Sequence, residues 1–245
     1  MTSYPSPAFR LGIVTGLQFE ADIARRAVAA SNAPGQDGIM VLSGGPGPEN
    51  AGRAVAELMT FGVSALLSFG VAGGCAPDIP AGTAIVATAI HDLGAQGGSP
   101  PFYTNREWQR RLRSILLGNT LVEQAALAST DMSVVGSTEK QSIHADTGAA
   151  AVDMESATVA RASVDAAIPF MALRVILDPA DLNLPRSAME GFTGTGETDS
   201  LAVLKSTMRR PNEIIPMVRL AISDHKARKA LAKTADAAAP FFGAI

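Results

Sequence analysis

Cysteine is almost missing from this chain. Cys75 is the single thiol in 245 residues, which excludes an internal disulfide and any multi-cysteine metal centre and fits a reducing compartment. Histidine is nearly as scarce. His91, His144 and His225 offer no pair at metal-ligand spacing with a third ligand, so neither a metal nor a cofactor is expected. No stretch approaches the roughly 18 uninterrupted apolar residues that a membrane span needs. Residues 1–10 carry two prolines and no long apolar run, and so do not read as a signal peptide. A net charge of −3 gives no general attraction to phosphate backbones, and nucleic acid is not expected as a partner. What is present is 47% hydrophobic and 18% charged residues, enough to bury a sizeable core and too apolar for disorder. The expectation is a cytoplasmic globular protein.

Strand and helix signals alternate along the chain. Residues 10–16 (RLGIVTG) form a short β-branched run followed by an alanine-rich helical stretch at 19–30. A second strand is predicted at 38–43, a hard Gly/Pro loop at 44–48, and an amphipathic helix at 49–61. The segment 64–71 (SALLSFGV) is apolar throughout, as in a central strand covered on both faces. Further strands are predicted at 83–91, 121–130 and 169–177, and helices at 107–117, 139–147, 154–166, 200–208 and 211–231, with long loops at 93–104 and 181–198. No repeat or linker divides the chain, so one domain over 1–245 is expected, with 200–233 as a C-terminal helical extension. The predicted class is a three-layer α/β/α domain with a mixed, mostly parallel central sheet.

In such sheets ligands sit beyond the carboxyl ends of the strands. Acidic residues stand there three times: Glu20 after the first strand, Asp153 and Glu155 after a short apolar run, and Asp178 at the end of the late strand. Carboxylates gathered from distant strand ends can divide the work of base, acid and hydroxyl grip. Each alone also has an ordinary reading, as a helix N-terminal charge match or a turn residue.

Four segments in order carry a resemblance: 12–20 (GIVTGLQFE), 68–74 (SFGVAGG), 152–157 (VDMESA) and 174–181 (RVILDPAD). Together they resemble the nucleoside phosphorylase/nucleosidase superfamily. Similarity to its methylthioadenosine/S-adenosylhomocysteine nucleosidases implies that Glu20 activates the attacking water and Asp178 protonates the purine at N7. It implies that Met154 and Glu155, with Asp153, bind the ribose, and that Gly70, Val71, Ala72 and Gly73 form the turn under sugar and base. An acid at N7 eases departure of the purine, and a carboxylate beside the ribosyl centre favours the cation developing there. To hold a proton near neutral pH, Asp178 must be desolvated, because neighbouring Pro179 and Ala180 bring no charge. Superfamily membership also implies a homodimer.

Related phosphorylases place an arginine two residues before the first glycine of the turn and a hydroxyl residue just after it. Here those positions are Ser68 and Val71, which favours water as nucleophile. Phosphate as co-substrate stays open through the loop holding Gly44, Gly45 and Gly47, whose amides ahead of a helix can cradle an anion. The segments 179–185, 198–201 and 209–211 resemble the hopanoid-associated phosphorylases, a branch that removes adenine from adenosylhopane. That likeness implies a lipid-linked nucleoside and an apolar channel, with Phe102, Tyr103, Trp108, Met189 and Phe192 as candidates against an ordinary packing role. It also raises peripheral membrane contact by the basic residues Arg219, Lys226, Arg228, Lys229 and Lys233, whose alternative is a solvated helix face.

Overall fold

The computed structural model describes residues 9–94, 99–185, 187–188 and 213–242. Expected features at Met189, Phe192, 198–201 and 209–211, and the helix at 200–208, lie outside the described residues. Strand β1 (Leu11–Thr15) leads into helix α1 (Gln18–Ala30), and β2 (Ile39–Ser43) into α2 (Pro48–Thr60). Strand β3 (Ala65–Gly74) and β4 (Ala84–Asp92) follow, then the two-residue β5 (Phe102–Tyr103) inside the predicted loop. Next come α3 (Arg106–Leu116), β6 (Val122–Ser129), α4 (Ser137–Thr147), β7 (Ala151–Asp153), α5 (Ser156–Asp165) and β8 (Phe170–Asp178). The last described helix, α6 (Ile214–Phe242), runs past the predicted end at 231.

The expected α/β class with a mixed sheet is the one found. Pairing is parallel for β2–β1–β3–β8 and for β4–β6–β7, and antiparallel for β8–β4, β3–β7 and β4–β5. Strand β3 is long enough to pair with β8 along most of its length and with β7 at Gly73 and Gly74. The circuit β3–β8–β4–β6–β7 therefore closes on itself, which the local patterns did not foretell. Closure gathers the ends of β3, β7 and β8 at one rim.

Alternation sorts the side chains of the central strands. Leu67 and Phe69 of β3, with Met171, Leu173 and Val175 of β8, join the cluster built with α1, α3 and α6. Leu66, Ala72, Phe170, Ala172 and Ile176 join the opposite cluster, with α2 and α5. Helix α6 docks by a stripe at helical spacing, Ala227, Leu231, Ala235, Ala238, Ala239 and Phe242, all fully buried or nearly so. Its basic residues face solvent: Arg219 pairs with Asp181 at 2.8 Å, while Arg228 pairs with Asp224 and lies 3.7 Å over the Phe19 ring. Among the described residues, no helix is long and apolar enough to cross a membrane.

Candidate active site

Strand alternation delivers two polar residues to a face that is otherwise apolar. Ser68 shares the face of Leu66 and Ala72, and Arg174 that of Ala172 and Ile176, with Gly70 in register beside Arg174. Arg174 is 1% exposed, and a buried guanidinium must be paired. Its Nε lies 2.8 Å from Asp153 Oδ2 and its Nη2 donates to Glu155 Oε2 at 3.2 Å and to Ser68 Oγ at 2.7 Å. Burial opposes its charge, but Asp153, then Glu155 and Glu20, outweigh burial and raise its pKa above the ordinary value.

Glu20 is in the first turn of α1 and meets this cluster from the other side. Gly16 and Leu17 amides donate to Oε2 at 3.0 and 2.8 Å, and Val71 N–H donates to Oε1 at 2.7 Å. The capping role and the site role thus coincide in one carboxylate that closes the start of α1 and ties it to β3. Burial pushes its pKa up to about 7; Arg174 pulls down and Glu155 pushes up, while the amides favour the ionised form. Glu155 is raised as well, chiefly by burial against the pull of Arg174. Gly47 N–H donates to its Oε1 at 3.0 Å, so that amide of the Gly44–Gly45–Gly47 loop is engaged inside the protein. Asp153 Oδ1 accepts from Ser156 N at 3.1 Å and its Oδ2 from Ser156 Oγ, fixing the start of α5.

Two glycines are dictated by this packing. A methyl group at Gly70, whose φ is +157°, would overlap Glu20 Oε1 and stand 2.7 Å from Arg174 Nη1. At Gly16 it would stand 2.9 Å from Glu155 Oε1. The crowding at Gly70 comes from the protein's own acid and arginine.

Asp178 ends β8, where a register shift opposite Ala72 and Gly73 interrupts the ladder, the kind of irregularity that re-aims a side chain. It is 3% exposed, and burial pushes its pKa up to about 6. The expectation that Asp178 has no charge partner is corrected here: Lys140 of α4, fully buried, forms an ion pair with its Oδ2 and pulls the pKa down. Nothing in 137–147 marks Lys140, which reads as one more charge on a mixed helix. Arg174 was detectable, because a lone arginine inside PFMALRVIL must find counter-charges if that strand is buried.

A cleft of about 170 Å³ opens between these groups. Glu20, Asp153, Glu155 and Asp178 line it, with Val71, Ala72, Gly73 and Met154; Pro46, Val134, Leu177 and Leu184 add apolar wall. No lysine, arginine or histidine is among the described residues that line it. Gly70 sits behind the wall, against Glu20, and of the Gly44–Gly47 loop only Pro46 reaches the cleft. Trp108 belongs to the core cluster with α1 and α6, and Tyr103 is 78% exposed, so neither lines the cleft. Cys75 is buried with its thiol pushed up to about 12, chiefly by burial. Among the described residues no group of three His, Cys, Asp or Glu side chains could hold a metal.

No curated protein sequence is significantly similar to the chain. Among solved structures, a 5'-methylthioadenosine/S-adenosylhomocysteine nucleosidase from Neisseria meningitidis is similar at TM-score 0.70 and 18% identity, over 96% of this chain and 99% of that one. A futalosine hydrolase from Helicobacter pylori is similar at TM-score 0.67 and 19% identity, over 94% and 98%. A nucleosidase of the former type from Helicobacter pylori gives TM-score 0.67 and 19% identity, over 94% and 99%. At these identities the likeness is one of fold. The family model described as Phosphorylase superfamily matches residues 13–209, most of the chain and, apart from Gly12, all four quoted segments, and the chain therefore belongs to the phosphorylase superfamily of enzymes.

Proposed function

We propose that this enzyme hydrolyses the N-glycosidic bond of a 5′-modified adenine nucleoside, releasing adenine. The observation that carries this reading is a pair of buried carboxylates on one cleft, Glu20 and Asp178, raised by burial to about 7 and about 6. Acid–base work near neutral pH needs groups tuned to that range. In this reading Glu20, ionised, takes a proton from water as its oxygen bonds to C1′. Asp178, protonated, gives its proton to the purine N7 while the C1′–N9 bonding pair leaves with the base. Met154 and Glu155, with Asp153 behind them, receive the ribose, and the backbone of Val71, Ala72 and Gly73 faces sugar and base.

Water is favoured over phosphate by the charge of the cleft. Four carboxylates line it and no cation among the described residues does. The nearby guanidinium of Arg174 is already held by Asp153 and Glu155. A phosphate dianion would enter against that field. The Gly44–Gly45–Gly47 amides remain the anion site to test if phosphate is required.

For the 5′ group two readings stand. The resemblance of 179–185, 198–201 and 209–211 to the hopanoid branch supports adenosylhopane, with the apolar wall of Val134, Leu177 and Leu184 as the start of a lipid path. The likeness in fold to methylthioadenosine/S-adenosylhomocysteine nucleosidases supports a small thioether substituent. A homodimer goes with either reading, through the superfamily resemblance, and peripheral membrane contact through α6 accompanies the first. Adenine release is followed by chromatography from adenosine, methylthioadenosine and adenosylhopane, each with and without phosphate. Release without phosphate is expected, and the preferred substrate names the 5′ group. Release that demands phosphate overturns the hydrolytic step, and no adenine from any of the three, with folded protein, overturns the enzyme as drawn.

A further inference from the structure

Lys140 is the one fully buried lysine among the described residues, and the reaction as drawn does not use it. A buried ammonium is costly unless its charge and all three hydrogens are matched. Here they are: Nζ pairs with Asp178 Oδ2 and donates to Leu182 O at 2.8 Å and Pro179 O at 3.2 Å. One side chain from α4 thus grips the end of β8 and the segment after it, which carries Leu184 onto the cleft wall. Among the described residues, the Cys75 thiol following β3 also feels the pair and stays neutral through the physiological range.

We propose that Lys140 is a positioning residue for Asp178, holding its carboxyl toward the cleft and setting how readily it surrenders its proton to the leaving base. This rests on the assignment of Asp178 as the acid. When the proton passes from Asp178 Oδ to the purine nitrogen and the glycosidic pair leaves with the base, the carboxylate left behind faces an ammonium already in place. Lys140 therefore strengthens the acid, and makes the protonated form rarer before substrate binds. An opposite charge at ion-pair distance typically lowers a carboxyl pKa by about 1–3 units. Removing it must raise the pKa of Asp178 and extend activity toward alkaline pH.

The test compares wild type with Lys140→Gln, which keeps hydrogen bonds to the carbonyls, and with Lys140→Met. The first readout is the ratio of kcat/KM at alkaline pH (about 8.5) to that at acid pH (about 5.5). It rises about tenfold or more in the variants, since a general acid with a raised pKa stays protonated longer; kcat itself falls because the carboxyl is less firmly held. A merely structural lysine lowers both rates alike and leaves the ratio unchanged, which overturns the proposal. The second readout needs no turnover: ¹³C-carboxyl NMR titration of Asp178, assigned by its loss in Asp178→Asn. Its midpoint moves up by about one unit or more in Lys140→Gln, as expected for loss of a paired cation, and an unmoved midpoint overturns the proposal. A moved midpoint in a protein that releases no purine keeps the Lys140–Asp178 coupling and sinks the assigned reaction instead. If Lys140→Met does not fold, the Lys140→Met/Asp178→Asn double variant is expected to regain the fold, because it removes both charges. Failure of that rescue as well shows that Lys140 serves the fold apart from Asp178, against the proposal.

Discussion

Gly70→Ala is the smallest change that strikes the site without replacing a catalytic side chain. The new methyl would overlap Glu20 Oε1 and stand 2.7 Å from Arg174 Nη1. Neither neighbour can step aside freely. Glu20 is held by the amides of Gly16, Leu17 and Val71, and Arg174 by Asp153, Glu155 and Ser68. Overpacking of this kind costs about 1–3 kcal/mol, and losing the Val71 amide bond inside the protein adds about 1 kcal/mol or more. For a chain of this size each kcal/mol is worth about 2–4 °C, so Tm should drop by about 4–16 °C. Displacing Glu20 by about 1 Å should lower kcat by about a hundredfold. Gly73→Ala is the control. Its added methyl meets nothing closer than 3.5 Å, at Asp178 and Val152, so Tm should stay within about 2 °C, typical of substitutions that create no clash, while KM rises because Gly73 faces the cleft. The measurements are thermal unfolding by circular dichroism and steady-state adenine release. A Gly70→Ala protein with wild-type Tm and kcat would refute the argument that Glu20 and Arg174 require the glycine.

Two further outcomes follow from the buried charges. Arg174→Met leaves Asp153, Glu155 and Glu20 without their shared cation, a loss of about 3–5 kcal/mol for a broken buried pair. It should also raise the pKa of Glu20 further above about 7, since Arg174 holds it down; kcat/KM at about pH 5.5 should then fall more than at about pH 8.5, and a folded variant that loses both rates alike would contradict this. The second concerns stability. Glu20 and Asp178 have folded-state pKa values of about 7 and about 6, raised from 4.5 and 3.8, so between pH 4 and 7 the folded state binds more protons than the unfolded one. Their contribution to stability is present at the acid end of that window and is lost as pH rises through 6 to 7. Calorimetry at constant ionic strength should find Tm falling across this range in wild type, and less steeply in Asp178→Asn; a Tm that rises from pH 5.5 to 8 would count against it.

The elements of this fold were legible where a strand or helix carries its own pattern. The runs 10–16, 64–71 and 169–177 are apolar because β1, β3 and β8 are buried on both faces, and that signal is local. The short apolar run before Asp153 proved to be β7, whose three residues are too few to show periodicity. Closure of the sheet depends on which edges meet, information that no single segment holds. The same divide runs through the site. Glu20, Asp153, Glu155 and Asp178 could be picked out because each stands at the end of a strand. Lys140 could not, because its importance comes from Asp178, 38 residues away in sequence. Gly70 was noticed as a turn glycine, but its reason lies in Glu20, 51 residues before the amide of Val71 that it precedes.

The count of charges around the cleft explains why such a site is acidic at all. In the form competent for the proposed reaction, Glu20, Asp153 and Glu155 are ionised, Asp178 is protonated, and Arg174 and Lys140 are cations, which leaves one net negative charge. With Glu20 at about 7 and Asp178 at about 6, that form is a minority at every pH. The minority is nonetheless the form the chemistry requires. As the ribosyl cation forms at C1′ and Asp178 gives its proton to the base, the cation stands among side chains carrying two net negative charges, which favours the transition state over the free site. A phosphate nucleophile would push the same cluster further from neutrality. The electrostatics that make this cleft expensive to fold are therefore the ones that suit it to a neutral nucleophile and a cationic sugar.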